Sequence, residues 1–370
     1  MIYFDNAATG GRKPDAVLTA VRAAIRTCAN AGRGGHKLAL SCLNRVQQCR
    51  NALSDHFDGY GFDRVIFTKN CTEALNILLF GTLEKGDHII SSAMEHNSVL
   101  RPLQHLKNTR GVSFSLVPLT DGNVTPESVK ALLQPNTKAV IITSASNVTG
   151  AIPPLKQIRD AIPDETLFFM DGAQGGGHLP IKMQKLGIDG LALAGHKGLF
   201  GIQGSGALLF SERVLPAPLL FGGTGTTSFS LDMPDFYPEA LEAGTLSFPA
   251  VSSLLEGVRY LSVNENRIFK RLIELTDYCL QGLSRLPNFQ AYSIPNPCGI
   301  VAFKHKSAPS EQIAEQLSTQ FNIATRGGLH CAPKMHEALN TLDGGLVRVS
   351  FSHFNSETEI DQLFTALKTF

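Results

Sequence analysis

A chain of 370 residues, 43% of them hydrophobic, can bury a large core and divide into two domains, or one large domain with a smaller lobe. Its formal net charge of +1 argues against nucleic acid as the main partner, and no apolar run approaches the roughly 18 residues of a membrane-spanning helix. Seven cysteines at irregular spacing make no disulfide framework, and Met1-Ile2-Tyr3-Phe4-Asp5 lacks a secretion-signal pattern, so a reducing cytoplasm is the expected compartment.

In chain order, strand and helix patterns alternate, which predicts a mainly parallel α/β architecture. Tyr3-Phe4-Asp5 is a short strand breaking into the small-residue turn Asn6 to Gly11. Pro14 opens a helix whose apolar positions Val17, Val21, Ala24 and Ile25 keep the helical period. The glycine cluster Gly32-Arg33-Gly34-Gly35-His36 reads as a loop, followed by a helix from about Leu40 through Ala52. Val65–Thr68 is a strand, and Thr72-Glu73-Ala74-Leu75 opens a helix. Ile89-Ile90-Ser91 and Val140–Thr143 read as buried strands ending in polar segments, where ligands of open parallel sheets collect. Phe168-Phe169-Met170 runs into Asp171, and Ala192-Leu193-Ala194 runs into Gly195-His196-Lys197-Gly198. Residues 221–227 form a glycine-threonine loop, and a helix after Pro249 carries Val251, Leu254, Leu255, Val258 and Leu261. The expected division is a larger domain of residues 13–248 and a smaller one of residues 1–12 and 249–370. The smaller one has strands near Gly299–Phe303 and Leu346–Val349, helices at about Glu311–Phe321 and after the cap Ser356, and the turn-rich Arg326-Gly327-Gly328-Leu329-His330-Cys331-Ala332-Pro333.

A lysine among small residues, with an acid at a neighbouring strand end, is what a Schiff-base cofactor site requires. Lys197 is therefore the candidate imine-forming residue for pyridoxal phosphate, and Asp171 the candidate partner of the pyridine nitrogen. Alone, each has an ordinary alternative, a solvated surface lysine and a helix N-cap. Thr72, at a helix start, offers a hydroxyl beside unpaired N–H groups for a phosphate, with His196 next to the lysine as a second donor. His96 follows a strand end and is placed to stack on a ring. Gln174 and Asn147 follow strands and suit a ring hydroxyl or a substrate carboxylate, or are plain turn residues. Two other motifs fail. Residues 190–197 nearly spell a nucleotide P-loop, but His196 stands where the lysine belongs and no Ser or Thr follows Lys197. His330, Cys331 and His336 do not have structural zinc spacing, so no metal is expected.

Taken together, Asp5-Asn6-Ala7-Ala8-Thr9, Cys71-Thr72-Glu73-Ala74, Glu95-His96-Asn97, Ser146-Asn147-Val148, Asp171-Gly172-Ala173-Gln174, Gly195-His196-Lys197, Glu242-Ala243-Gly244-Thr245, Arg326 to Cys331 and Val347-Arg348 resemble the class V aminotransferases of fold-type I. Within that group they are most similar to the cysteine desulfurase and selenocysteine lyase branch, and the matches span almost the whole chain in order. The resemblance implies an α/β fold-type I enzyme using pyridoxal 5'-phosphate. Lys197 would bind the cofactor covalently, Asp171 pair with its ring nitrogen, Gln174 bond its ring oxygen and His96 stack on it. Thr72, Cys71 and His196 would surround the phosphate, with Thr245 reaching it from the other subunit of a homodimer. Arg348 and Asn147 would bind the substrate carboxylate, with Arg326, Ala8 and His36 around the substrate. Cys331 would accept sulfur as a persulfide, with His330 and the two arginines supplying positive surroundings. Three positions depart from the pattern. Ala194 stands where a hydroxyl residue is common, Cys71 where a second threonine is, and Leu329 where a histidine is.

The implied reaction turns L-cysteine into L-alanine, with sulfur carried from Cys331 to an acceptor protein. L-selenocysteine is the other candidate substrate. Two alternatives stand beside it: a class V aminotransferase or epimerase acting on a small amino acid, in which Cys331 is incidental, and a catalytically silent relative. The short stretch from Cys331 to Arg348 reads as mostly helical, which predicts a constrained cysteine loop.

Overall fold

A computed structural model of the chain describes residues 1–31 and 34–370; Gly32 and Arg33 of the expected glycine loop lie outside the described residues. The N-terminal segment gives β1 (Ile2–Tyr3), α1 (Asp15–Thr27) and α2 (Lys37–Phe57). Next come β2 (Val65–Thr68), α3 (Cys71–Thr82), β3 (His88–Ser92), α4 (Asn97–Arg110) and β4 (Ser113–Val117). They are followed by α5 (Pro126–Lys130), β5 (Thr137–Thr143), α6 (Leu155–Asp160), β6 (Leu167–Asp171), α7 (Met183–Leu186), β7 (Gly190–Ala194) and β8 (Gly206–Phe210). The C-terminal part holds α8 (Phe248–Leu283), β9 (Phe289–Ala291), β10 (Ile300–His305), α9 (Ser310–Phe321) and β11 (Ile323–Ala324). It ends with α10 (Pro333–Ala338), β12 (Val347–Ser350) and α11 (Glu357–Leu367).

The main sheet has seven strands in the order β2-β8-β7-β6-β5-β3-β4. From β7 to β4 all pairs are parallel, and β8 runs antiparallel to both of its neighbours. The central strands carry unbroken apolar runs, Phe168-Phe169-Met170 and Leu191-Ala192-Leu193, because both sheet faces are covered and every side chain is buried. Register matters for the site. Thr143 pairs with Asp171 and Asp171 with Ala192, so three strand ends lie side by side.

A second sheet, β12-β10-β9, is antiparallel. β1 and β11 form a separate parallel pair, and the N-terminal segment reaches the second sheet where Asn6 Nδ2 donates to the Ser350 carbonyl over 2.9 Å. α8 packs on both α1 and α2, and continues to the second sheet. At Gly257 this helix runs so close to the turn after Lys197 that an added Cβ would collide with the Leu199 carbonyl oxygen. α11 starts at a reciprocal cap, Ser356 Oγ taking the Glu359 N–H while the Glu359 carboxylate takes the Ser356 N–H. Among the described residues no helix is long and apolar enough to cross a membrane.

Candidate active site

The carboxyl ends of β3, β5, β6 and β7 open on one region, as parallel strands that are neighbours must. Asp171, the last residue of β6, is buried, and its Oδ1 accepts the Ala173 N–H (2.8 Å) and the Cys71 thiol (3.4 Å). Burial, reinforced by Asp171, pushes the Cys71 thiol well above its usual range, so Cys71 is a neutral donor to the acid. Lys197 follows β7 in a half-buried turn and makes no ion pair or side-chain hydrogen bond among the described residues. Burial lowers its ammonium pKa, with Asp171 and Cys71 opposing. Its turn is set by a close approach: Gly177, at φ +92°, packs where any Cβ would strike the Gly198 backbone.

His96 caps α4. Its Nδ1 accepts the Ser98 backbone N–H (3.0 Å) and lies 2.8 Å from the Ser98 hydroxyl, and burial lowers its pKa to about 4. The imidazole is thus neutral and fixed in orientation. Thr72 Oγ1, in the first turn of α3, lies 2.8 Å from Ser98 Oγ, which joins the first turns of both helices. His196 Nδ1 lies 3.1 Å from Thr9 Oγ1, and burial, then Lys197, brings its pKa to about 4. Gln174 donates to the Ala7 carbonyl (3.1 Å), and Ala8, half-buried, donates its N–H to the Asp5 carbonyl (3.1 Å).

Arg348 on β12 is fully buried. It bonds Asp5 Oδ1 (2.9 Å) and the Asn147 carbonyl (2.9 Å), while its Nε has no partner among the described residues. Arg326 is brought beside it by a backbone pair: the Arg348 N–H donates to the Arg326 carbonyl (2.8 Å) and the Arg326 N–H donates back (3.2 Å). Arg326 Nη2 reaches Cys331 Sγ at 3.9 Å. Cys331 is exposed. It opens on a 580 Å³ cleft with Thr72, His96, Asn97, Ser98 and Arg101 among its walls. The loop is tied at two carbonyls: Asn147 Nδ2 donates to His330 O (2.7 Å) and the Asn97 N–H to Cys331 O (2.7 Å). His330 and Cys331 are both left-handed, at φ 51° and 57°, a strained pair for residues with a Cβ.

Several expectations change here. His330 is no source of positive charge. It is buried on Arg326 O (3.3 Å) and stacked on His336, and burial, then Arg348, lowers its pKa to about 2. Asn147 spends one of its two amide N–H donors on the cysteine loop, so a carboxylate would have to use the other. Between Cys331 and Arg348 only α10 is helical, and the constraint comes from the two carbonyl ties instead. Two expected residues lie apart from Lys197. Thr245, expected to reach the other subunit's site and not its own, is exposed and lines a separate pocket with Phe67 and Leu254. His36 is exposed at the N-cap of α2, where its Nδ1 takes the Ala39 N–H.

One residue of this region had no reading in the sequence beyond its place in a motif. Glu95 is fully buried; its Oε1 accepts the Ser92 hydroxyl (2.7 Å) and the Thr143 N–H (2.8 Å), and its Oε2 is unpaired among the described residues. Burial, then Asp171, raises its pKa to about 8. It clamps the turn that carries His96 to the end of β5, one strand from Asp171. Sequence gave no signal for this, because a buried acid and a surface acid are spelled alike.

The geometry has counterparts among known proteins. A probable cysteine desulfurase of Methanothermobacter thermautotrophicus is 32% identical, covering 92% of this chain and 87% of that protein. One of Pyrococcus abyssi is 30% identical over 100% of this chain and 94% of its own length. The apo structure of a cysteine desulfurase from Thermococcus onnurineus superposes with a TM-score of 0.91 at 29% identity, covering 100% of this chain and 94% of that one. The fold is accordingly the expected α/β fold-type I architecture. The family model described as aminotransferase class-V matches residues 2–363. With strand ends, turn lysine and cysteine loop in one order along nearly the whole length, the chain belongs to the aminotransferase class V family.

Proposed function

We propose that this chain is a pyridoxal-phosphate-dependent cysteine desulfurase that converts L-cysteine to L-alanine and takes the sulfur onto Cys331 as a persulfide. The observation that carries this reading is the exposed Cys331, held in a tied loop 3.9 Å from Arg326 and opening on the cleft that His96 and Thr72 also line. The fit of the cofactor rests on the donor set: an unpaired, desolvated Lys197, a buried Asp171, a neutral flat His96 and hydroxyls at the first turn of α3. Lys197, Asp171, Gln174, His96, Thr72 and His196 would hold it. When bound, pyridoxal phosphate supplies an electron sink that makes a substrate's Cα–H acidic.

The chain's own residues do the rest. The Lys197 amine takes the Cα proton and later returns one to Cα, while the carbon that becomes the alanine methyl gains the equivalent of the proton the Cys331 thiol gives up on becoming a thiolate. The unpaired Arg348 Nε suits one substrate carboxylate oxygen, and the second N–H of Asn147 Nδ2 suits the other. Cys331 Sγ attacks the substrate sulfur. An S–S bond forms as the C–S bond breaks, its electron pair stays with the carbon fragment, and no outside oxidant is needed. Arg326 keeps a cation beside the attacking sulfur.

We further propose the finer points as one set. The protein works as a cytoplasmic homodimer, Thr245 serving the partner's site. L-selenocysteine is a second substrate, and a separate acceptor protein removes the persulfide. The lobe division at residues 12/13 and 248/249 is supported by the pairing of β1 with β11.

Cys331→Ser should keep the yellow cofactor and lose sulfide release from cysteine, assayed with a thiol reductant. Release at the wild-type rate would leave the aminotransferase or epimerase reading in its place. Borohydride reduction followed by peptide mapping should trap the cofactor on Lys197, and an adduct elsewhere would overturn the whole site.

A further inference from the structure

Cys71 is the first residue of α3, and the residue before it caps that helix, the Asn70 side chain taking the Glu73 N–H (2.9 Å). The helix start is pressed on β8: a Cβ added at Gly206 would meet the Asn70 backbone at 2.7 Å. Two consecutive side chains then part company. Thr72 is exposed and lies 2.8 Å from Ser98 Oγ, while Cys71 is 7% exposed and sends its thiol to Asp171 Oδ1 (3.4 Å). Cys71, expected beside a phosphate, is thus turned to the acid at the end of β6. Asp171 is 2% exposed, and its two oxygens are unequal. Oδ1 takes both the Cys71 thiol and the Ala173 N–H (2.8 Å). Oδ2 accepts no hydrogen bond among the described residues. Two donors on one oxygen stop the carboxylate from turning, and the other oxygen stays open.

We propose that Cys71 is a positioning residue for Asp171: its thiol, together with the Ala173 N–H, occupies Oδ1 and leaves Oδ2 as the oxygen that meets the ring nitrogen of pyridoxal phosphate. This rests on the reading of Asp171 as that nitrogen's partner. Cys71 acts through Asp171 and takes no part in sulfur transfer. Burial, then Asp171, keeps the thiol neutral, so its proton is there to be donated. A thiol is a weaker donor than a hydroxyl, so it steers the carboxylate while drawing little charge from it. That charge is what favours a proton on the ring nitrogen, and the protonated ring is the better electron sink. The chain therefore has a use for sulfur at this position, where a hydroxyl residue is the common choice.

The test compares Cys71→Ala with Cys71→Ser in the holoenzyme. Both shed nearly the same volume, so packing does not separate them, and only serine keeps a donor. Cys71→Ala should lose about tenfold in kcat on cysteine with KM within about twofold, and Cys71→Ser should recover most of that loss. The pH midpoint of the yellow band reports the proton on the Lys197 linkage, which becomes more basic as the ring withdraws less. It should rise by about half a unit in Cys71→Ala and stay within a few tenths of the wild type in Cys71→Ser. Alanine equal to the wild type on both readouts, or serine as impaired as alanine, overturns the role. Infrared difference spectra, wild type minus Cys71→Ala, need no turnover. The S–H stretch should fall below that of a free thiol, and a band at the free-thiol frequency overturns the proposal. Asp171→Asn separates the two readings. Wild-type turnover in that variant contradicts the assignment of Asp171 and takes the role of Cys71 with it. An inactive Asp171→Asn beside equal serine and alanine variants overturns Cys71 alone.

Discussion

Glu95 shows how far one buried carboxyl reaches. In the folded chain it holds its proton up to about pH 8, whereas its ordinary value is 4.5. The native state therefore binds more protons than the unfolded chain across that interval. The stability this gives is fully present below pH 4.5 and is lost as pH rises through 8. Glu95→Gln keeps an acceptor for Ser92 and Thr143 and cannot ionise. Its unfolding free energy in urea should exceed the wild type's at pH 9 by on the order of a few kcal/mol. The two should converge near pH 4, and a gap independent of pH would mean the carboxyl is not the cause. The same logic separates His96 from His330. Both are neutral, yet His96 caps a helix at the cleft while His330 is packed away on His336 and serves the loop's shape.

Among the elements, α8 does most to join the parts, and at Gly257 it presses directly on the backbone of another segment. Gly257→Ala would push on Leu199, two residues beyond Lys197. Overpacking of this kind costs about 1–3 kcal/mol, so the variant should unfold at lower urea and bind pyridoxal phosphate more weakly in an absorbance titration. Unchanged stability and binding would show that the helix can shift. The length of α8, 36 residues, was not legible, because the polar run Asn264-Glu265-Asn266 interrupts its apolar pattern midway. β5, β6 and β7 were legible as buried strands, since a run such as Phe168-Phe169-Met170 suits only a sheet covered on both sides. The antiparallel β8 carries similar residues, and nothing in them encodes direction. In the site, Lys197 and Asp171 could be read from their flanks. The partners of Glu95 and Arg348 could not, because Thr143 lies 48 residues away and Asp5 lies 343 away.

At the scale of the whole molecule, the segment before α8 exposes its apolar residues, with Phe229 at 94% and Leu231 at 106% of full exposure, and Phe221 at 76%. It is anchored at its far end by Glu242, whose carboxylate pairs with Arg50 (2.6 Å) and takes the Phe67 N–H (2.7 Å), so Thr245 is held in place while the loop is bare. A second copy of the chain is the cover we propose. The double variant Phe229→Asp with Leu231→Asp should sediment as a monomer and retain less cofactor on dialysis; a stable dimer would refute that cover. The N-terminal segment carries a different lesson. β1 adds to β11, and Asp5 and Asn6 fasten to Arg348 and Ser350. Asp5 and Arg348, 343 residues apart along the chain, thus meet only once both have been made. A guanidinium buried without that carboxylate would carry an uncompensated charge, so β12 settles only when Asp5 has come back to it.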